Sequence, residues 1–385
     1  MLDFSQFMAG PAAAQKLGDY GAEVVKIERP GVGEGSRHSS AANYWVDGKR
    51  SAFVALNRNK RSLTLDLKKE EGREVALGLA RGADVLIENF RPGVMERLGL
   101  GYGKLREVNP RLVYGSITGY GPEGPYRDFP GQDLLVQCLS GIANLNGRDV
   151  DPPTPIGMPI IDAVTGQQLA FGIVSALLWR EKTGEGQRVE VSLLDTAIDL
   201  QAQEFTIFLN SGEEPRRSAT GIAHPYFIPP YGIYATKDGY IALAHTPFDK
   251  LSEHLGIPFL SRYESRDAAF RDRDGVYQMV ASAIQERTTK EWLTYLRAHD
   301  FWCGPVRGYR ELAEDEQVAV NGMIVEVEGE DGGVVRLPGV PIKFGETPGS
   351  VRAAPPGLGE HTDEVLAQAG LSAEDVANLR DKGVV

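Results

Sequence analysis

The first two hundred residues of this chain alternate short β-rich segments with helical ones, a rhythm that leaves few folds open. "AEVVKIER" (22–29), "SLTLDL" (62–67), "ADVLIENF" (83–90), "RLVYGSITGY" (111–120) and "QRVEVSLL" (187–194) have the β-branched and aliphatic runs of buried strands. Amphipathic stretches such as "KKEEGREVALGLARG" (68–82) lie between several of them. Strands separated by helices build βαβ units, so the expected fold is α/β with a mostly parallel sheet. Ligands of such sheets bind where loops leave the carboxyl ends of the strands. Glu88-Asn89-Phe90, Gly119-Tyr120-Gly121 and Asp162 fall in such loops or at element ends.

A long helical segment, 195–212, closes this region, and the polar "EEPRRSATGIAHP" (213–225) follows it. A hairpin pattern at 231–244 turns on "KDG", and helical patterns cover 247–256, 267–287 and 289–299. From about residue 318 the chain returns to strand-like and finally helical sequence. At 385 residues it exceeds the usual single core. The expected division is a large domain of residues 1–212 and 318–385, with a smaller α+β domain and its linkers, 213–317, inserted.

Several chemistries are disfavoured. A net charge of −12 repels polyanions at long range, so the reading is no nucleic acid and no anionic membrane. Cys138 and Cys303 supply neither a disulfide framework nor a zinc cluster, so no metal is expected. The longest apolar run, Leu169 to Trp179, is short for a bilayer, and the expected location is cytoplasmic. Glu28 ends a strand as in dinucleotide-binding folds, but the turn that would carry the glycine fingerprint reads "FMAGPAAAQ". Neither a phosphate-binding G-x-x-x-x-G-K-[ST] loop nor H-E-x-x-H occurs, and none of the six histidines lies between residues 100 and 200.

Asp162 is the one charge in "MPIIDAVTGQQLAFGIVSALLW" (158–179). One reading is a helix cap, since the following apolar residues have helical spacing. The other is a poorly solvated carboxylate, held at a helix N-terminus, that acts as a nucleophile. The acid-free basic cluster Lys49, Arg50, Arg58, Lys60 and Arg61 likewise reads either as a solvated face or as a polyphosphate cradle.

Six stretches then combine: "AGPAAAQKLGDYGAEVVKIERP" (9–30), "NKRSLTLDLKKEEGRE" (59–74), "ADVLIENFRPGVMERLGL" (83–100), "NPRLVYGSITGYGPEGPY" (109–126), "DAVTGQQLAFGIVSALLWREKTGEGQRVEVSLLD" (162–195) and "GEHTDEVL" (359–366). In this order they resemble the class III coenzyme A transferases, the family of formyl-CoA transferase and carnitine CoA-transferase. The resemblance implies a Rossmann-like large domain, a small domain and two ring-shaped subunits interlocked as a homodimer. It implies that Asp162 is the catalytic nucleophile and that Phe7, Met8, Arg29, Leu65, Lys68, Asn89, Phe90 and Arg97 line the CoA site. Arg29 and Arg97 would meet phosphate or adenine, and Asn89 and Phe90 would flank the pantetheine. CoA is then a substrate moiety, with no permanently bound cofactor, and the partners are an acyl-CoA and a carboxylic acid acceptor. The α-methylacyl-CoA racemases of the same fold place a histidine before an acidic residue where this chain has Gln132 and Asp133, which favours transfer over racemisation. A racemase or a catalytically inactive CoA-binding protein stays as the alternative.

Overall fold

The computed structural model describes residues 1–39, 43–258, 263–330 and 332–385. Strands β1 (Leu2–Asp3), β2 (Val24–Glu28), β3 (Lys60–Thr64), β4 (Val85–Glu88), β5 (Val113–Thr118) and β6 (Arg188–Ser192) form one sheet. Their order is β3-β2-β1-β4-β5-β6, and every neighbouring pair is parallel. The chain winds outward from β1 in one direction and from β4 in the other, so the loops leaving these two strands diverge. That divergence opens a crevice at the carboxyl edge of the sheet.

Helix α1 (Ala9–Asp19) follows β1, and α2 (Glu70–Arg81) joins β3 to β4. The 24-residue α3 (Ile160–Thr183) lies against β5 and β6 and crosses α1 closely. The crossing depends on Gly166, where a Cβ would stand 2.6 Å from the Ala9 carbonyl oxygen. Leu169, Ile173 and Ala176 form the buried stripe of α3, whereas Phe171, Val174, Leu178 and Trp179 are exposed along it. By length and composition α3 would suffice to cross a membrane, so the short apolar run at 169–179 understated its extent. Its buried stripe is that of a helix packed on a sheet.

Met1–Val136, Pro159–Ala197 and Asp315–Val385 form one compact unit, and Gln137–Met158 with Ile198–Glu314 a second. The first unit includes an antiparallel hairpin, Ile324–Glu328 with Val334–Pro338. Helices Thr362–Gln368 and Ala373–Asp381 add Val365, Leu366, Val376 and Leu379 to the core under the sheet. The second unit has a three-stranded antiparallel sheet, Gly232–Ala235, Tyr240–Leu243 and Cys303–Pro305, over a core of Tyr234, Ile241, Val276, Val280 and Leu296. The helical segment 195–212 is two helices, Leu193–Leu200 and Ala202–Ser211, broken at Gln201.

The basic cluster is neither a solvated face nor a cradle. Arg58 grips Asp19 through two hydrogen bonds of 2.9 and 2.7 Å, and Lys60 is buried against Asp3, Asn57 and the Pro11 carbonyl. Lys49 pairs with Asp47 and Glu330, and Arg61 with Glu364. Arg50 lies over the Trp45 ring. Buried charge is stable only when partnered, and most of these partners come from distant sequence.

Candidate active site

A cleft of about 460 Å³ opens at the divergence of β1 and β4. Phe7, Met8, Asn89, Phe90, Gln132 and Asp162 line it, together with Arg91, Ile117, Arg127, Phe129 and Leu193. Six of the residues expected from sequence are thereby brought together. Arg29, Lys68 and Arg97 are exposed beyond the lining, Arg29 and Lys68 in the segments leaving β2 and β3 and Arg97 at the end of the short helix Val94–Arg97 that follows β4. Their charged groups have no side-chain partner among the described residues. The Leu65 side chain is buried in the sheet core, so only its backbone is placed near a loop. Asp133 is buried beneath the cleft.

The loop leaving β1 is held from several sides. Asn89 accepts a hydrogen bond from the Gln6 amide at 2.7 Å and donates to the Gln6 carbonyl at 2.8 Å. Its side chain is therefore spent on stitching the two diverging loops together rather than left free for a ligand. Phe7 has a left-handed backbone, φ 61°, costly for a bulky residue. Glu34 offsets that cost by accepting the Phe7 N–H at 3.0 Å. Beneath the loop the Asp3 carboxylate faces Lys26 and Lys60, both fully buried. Burial raises its pKa, but the two ammonium groups more than offset this and hold it below the usual carboxylate range. Glu88, also buried, accepts the Phe90 N–H at 2.9 Å and the Ser116 hydroxyl at 2.5 Å, which sets the turn carrying Phe90. Glu28 is not available to a ribose: Arg37 clamps it with bonds of 2.7 and 2.6 Å, and Ser62 donates to it at 2.7 Å.

Asp162 is not a cap. Helix α3 begins at Ile160, which puts Asp162 in the first turn, and its carboxylate makes no capping bond. Asp133 takes that role, accepting the N–H groups of Ile161 and Asp162 at 2.8 and 3.0 Å. The Asp162 carboxylate is left with no hydrogen-bond partner among the described residues. Burial, and secondarily the Asp133 charge, push its pKa up to about 7. A half-buried carboxylate lining a cleft, without donors yet ionisable near neutrality, has the chemistry required of an oxygen nucleophile. Among the described residues no group of three His, Cys, Asp or Glu is arranged to hold a metal ion.

Arg127 and Phe129 also line the cleft without a motif of their own; the one sequence signal near them is the glycine- and proline-rich stretch after Gly119.

The sequence profile described as CoA-transferase family III matches residues 1–362. A succinate–glutarate CoA-transferase of Agrobacterium fabrum is 36% identical over 380 residues, covering 96% of this chain and 94% of that protein. A formyl-CoA:oxalate CoA-transferase of Rhodopseudomonas palustris is 34% identical over 411 residues, covering 100% and 96%. The crystal structure of a CAIB/BAIF family protein from Brucella suis superposes with a TM-score of 0.84 at 33% identity, covering 96% and 97%. This chain belongs to CoA-transferase family III. It is an enzyme that transfers coenzyme A.

Proposed function

We propose that the enzyme moves CoA from an acyl-CoA donor to a small carboxylic acid, with Asp162 as the nucleophile. An Asp162 oxygen attacks the thioester carbonyl, the C–S bond breaks, and a mixed anhydride and CoA thiolate result. The thiolate attacks the aspartyl carbonyl, giving an aspartyl-CoA thioester and releasing the donor acid. The acceptor carboxylate then expels the thiolate, forming a second anhydride, and the returning thiolate takes the acceptor acyl group and restores Asp162. No proton is transferred in this sequence. The observation that carries the reading is the Asp162 carboxylate, relieved of capping by Asp133 and facing the cleft without a partner.

Phe7, Met8 and Phe90 offer apolar contact to the pantetheine arm, while Arg29, Lys68 and Arg97 supply the local positive charge that a chain of net −12 lacks. Binding energy from that large unreactive portion positions the thioester and desolvates the carboxylate. The names of the relatives pair CoA with oxalate, succinate and glutarate, which makes short dicarboxylic acids the first acceptors to try. The exposed stripe Phe171, Val174, Leu178 and Trp179 suits burial against a second copy, in keeping with an interlocked homodimer. Gln132 in the cleft cannot act as a proton acid or base near neutral pH, which favours transfer over racemisation.

The test is Asp162→Asn assayed with a panel of acids. Turnover should vanish, and wild-type enzyme given acyl-CoA alone should accumulate a hydroxylamine-sensitive adduct on the Asp162 peptide. Substantial activity in the variant overturns the reading. Rapid α-deuteration of a 2-methylacyl-CoA without acceptor would favour a racemase instead.

A further inference from the structure

The loop between β5 and the helix Asp133–Leu139 is pinched at its base. A Cβ on Gly119 would stand 2.7 Å from the Gly131 Cα, and one on Gly131 2.5 Å from the Gly119 Cα. Residues 120–130 form an arm standing on this glycine pair. Its Tyr120, Tyr126 and Phe129 rings cluster, with centroids 5.7 and 5.4 Å apart, and stiffen it. Arg127 rides on this arm, its Nε donating to the Pro122 carbonyl at 2.9 Å and its Nη1 to Asp128 at 3.2 Å. Its Nη2 reaches across to the loop leaving β4 and lies 3.7 Å from where a Cβ on Gly93 would be. Arg97 brings its Nη1 to 3.1 Å from the same point.

Two guanidinium groups from separate segments, the 120–130 arm and the helix Val94–Arg97, thus converge. The Arg127–Asp128 pair is exposed, Arg97 has no ion-pair partner among the described residues, and Arg91 lines the cleft alongside. Convergent like charges, one of them paired only with the exposed Asp128, contribute little to folding and repel each other mildly even in water. They gain when an anion bridges them, and two planar forks match the oxygens of a phosphate at bonding distances of about 2.8 Å.

Resting on the reading of the cleft as the CoA site, we propose that Arg127 is a phosphate-binding residue, closing with Arg97 on a phosphate of the CoA moiety. The pinched arm is then a specificity element: it delivers a charge to the CoA while Phe129 walls the cleft.

Calorimetric titration of CoA and of phosphate-free pantetheine into wild type, Arg127→Ala and Arg127→Lys tests this. Arg127→Ala should weaken CoA about 10- to 100-fold, the loss of a charge-assisted contact. Arg127→Lys should recover part of it, and pantetheine affinity should be alike in all three. Equal CoA affinity in wild type and Arg127→Ala overturns the proposal, as does an equal loss for pantetheine, which would mean a collapsed arm. So does a transfer assay in which Arg127→Ala raises only the acceptor acid's KM, which would assign the clamp to a carboxylate. If wild type itself fails to bind CoA, the reading of the cleft falls first.

Discussion

Replacing Asp162 by Asn should change stability in a strongly pH-dependent way. In the unfolded chain the carboxyl titrates near 3.8, and in the folded enzyme burial pushes it up to about 7. Between these values the folded state holds the extra proton, so its stability relative to Asn falls as pH rises through the window. Each pH unit costs about 1.4 kcal/mol, giving a ceiling of about 4 kcal/mol above pH 7. Water in the open cleft reduces this to about 1–3 kcal/mol. At roughly 2.1 cal/mol/K of unfolding entropy per residue, a chain of this size converts that into a Tm gain of about 1–4 °C. Asn at this position should therefore melt higher than wild type at pH 8, by about a third of that difference at pH 5, and not at pH 4. Differential scanning fluorimetry at matched ionic strength reads the series. Parallel melting curves across pH, or an Asn variant less stable at pH 8 than at pH 5 relative to wild type, would refute a desolvated carboxylate at Asp162.

The remaining expectations concern the surroundings of that group. Catalytic efficiency, kcat/KM for the acyl-CoA, should rise with pH through about 7 as Asp162 ionises, and the pH–rate profile of Asp133→Asn should have a lower midpoint, only partly shifted because burial is the larger cause. Asp133→Ala should also cost about 1–2 kcal/mol by uncapping α3, visible in urea unfolding as a lower midpoint with an unchanged slope. Gly119→Ala should force the arm off Gly131 and raise the acyl-CoA KM, with a stability loss of about 1–3 kcal/mol by thermal melting; an unchanged KM would show that the pinch is incidental.

Periodicity located strands β2 to β6 to within a few residues, because the signal for a buried parallel strand is local. The two-residue β1 carries too little sequence to show a period and is recognisable only through its neighbours, Val25 and Leu86. Asp162 stood out as one charge in an apolar stretch. The residue that caps its helix, Asp133, lies 29 positions away, so no local rule assigns it. The basic cluster misled for the same reason: Asp3, Asp19, Glu330 and Glu364, which neutralise it, are remote in sequence. Arg127 and Arg97 meet only because two segments fold toward Gly93.

The unit that carries the cleft is assembled from three separate stretches of chain, and this bears on its synthesis. Val384 is fully buried and its carbonyl accepts the Asp66 N–H at 2.7 Å, while Asp3 is walled in by Lys60. A ribosome that has made β1 to β6 has made every strand of the sheet and Asp162, yet the floor under β3 still lacks Val365, Leu366 and Val376. The nascent chain must therefore wait, with apolar surface uncovered, through the whole of residues 198–314. Premature termination in the last seventy residues should yield a chain that aggregates or is degraded rather than a partly active enzyme.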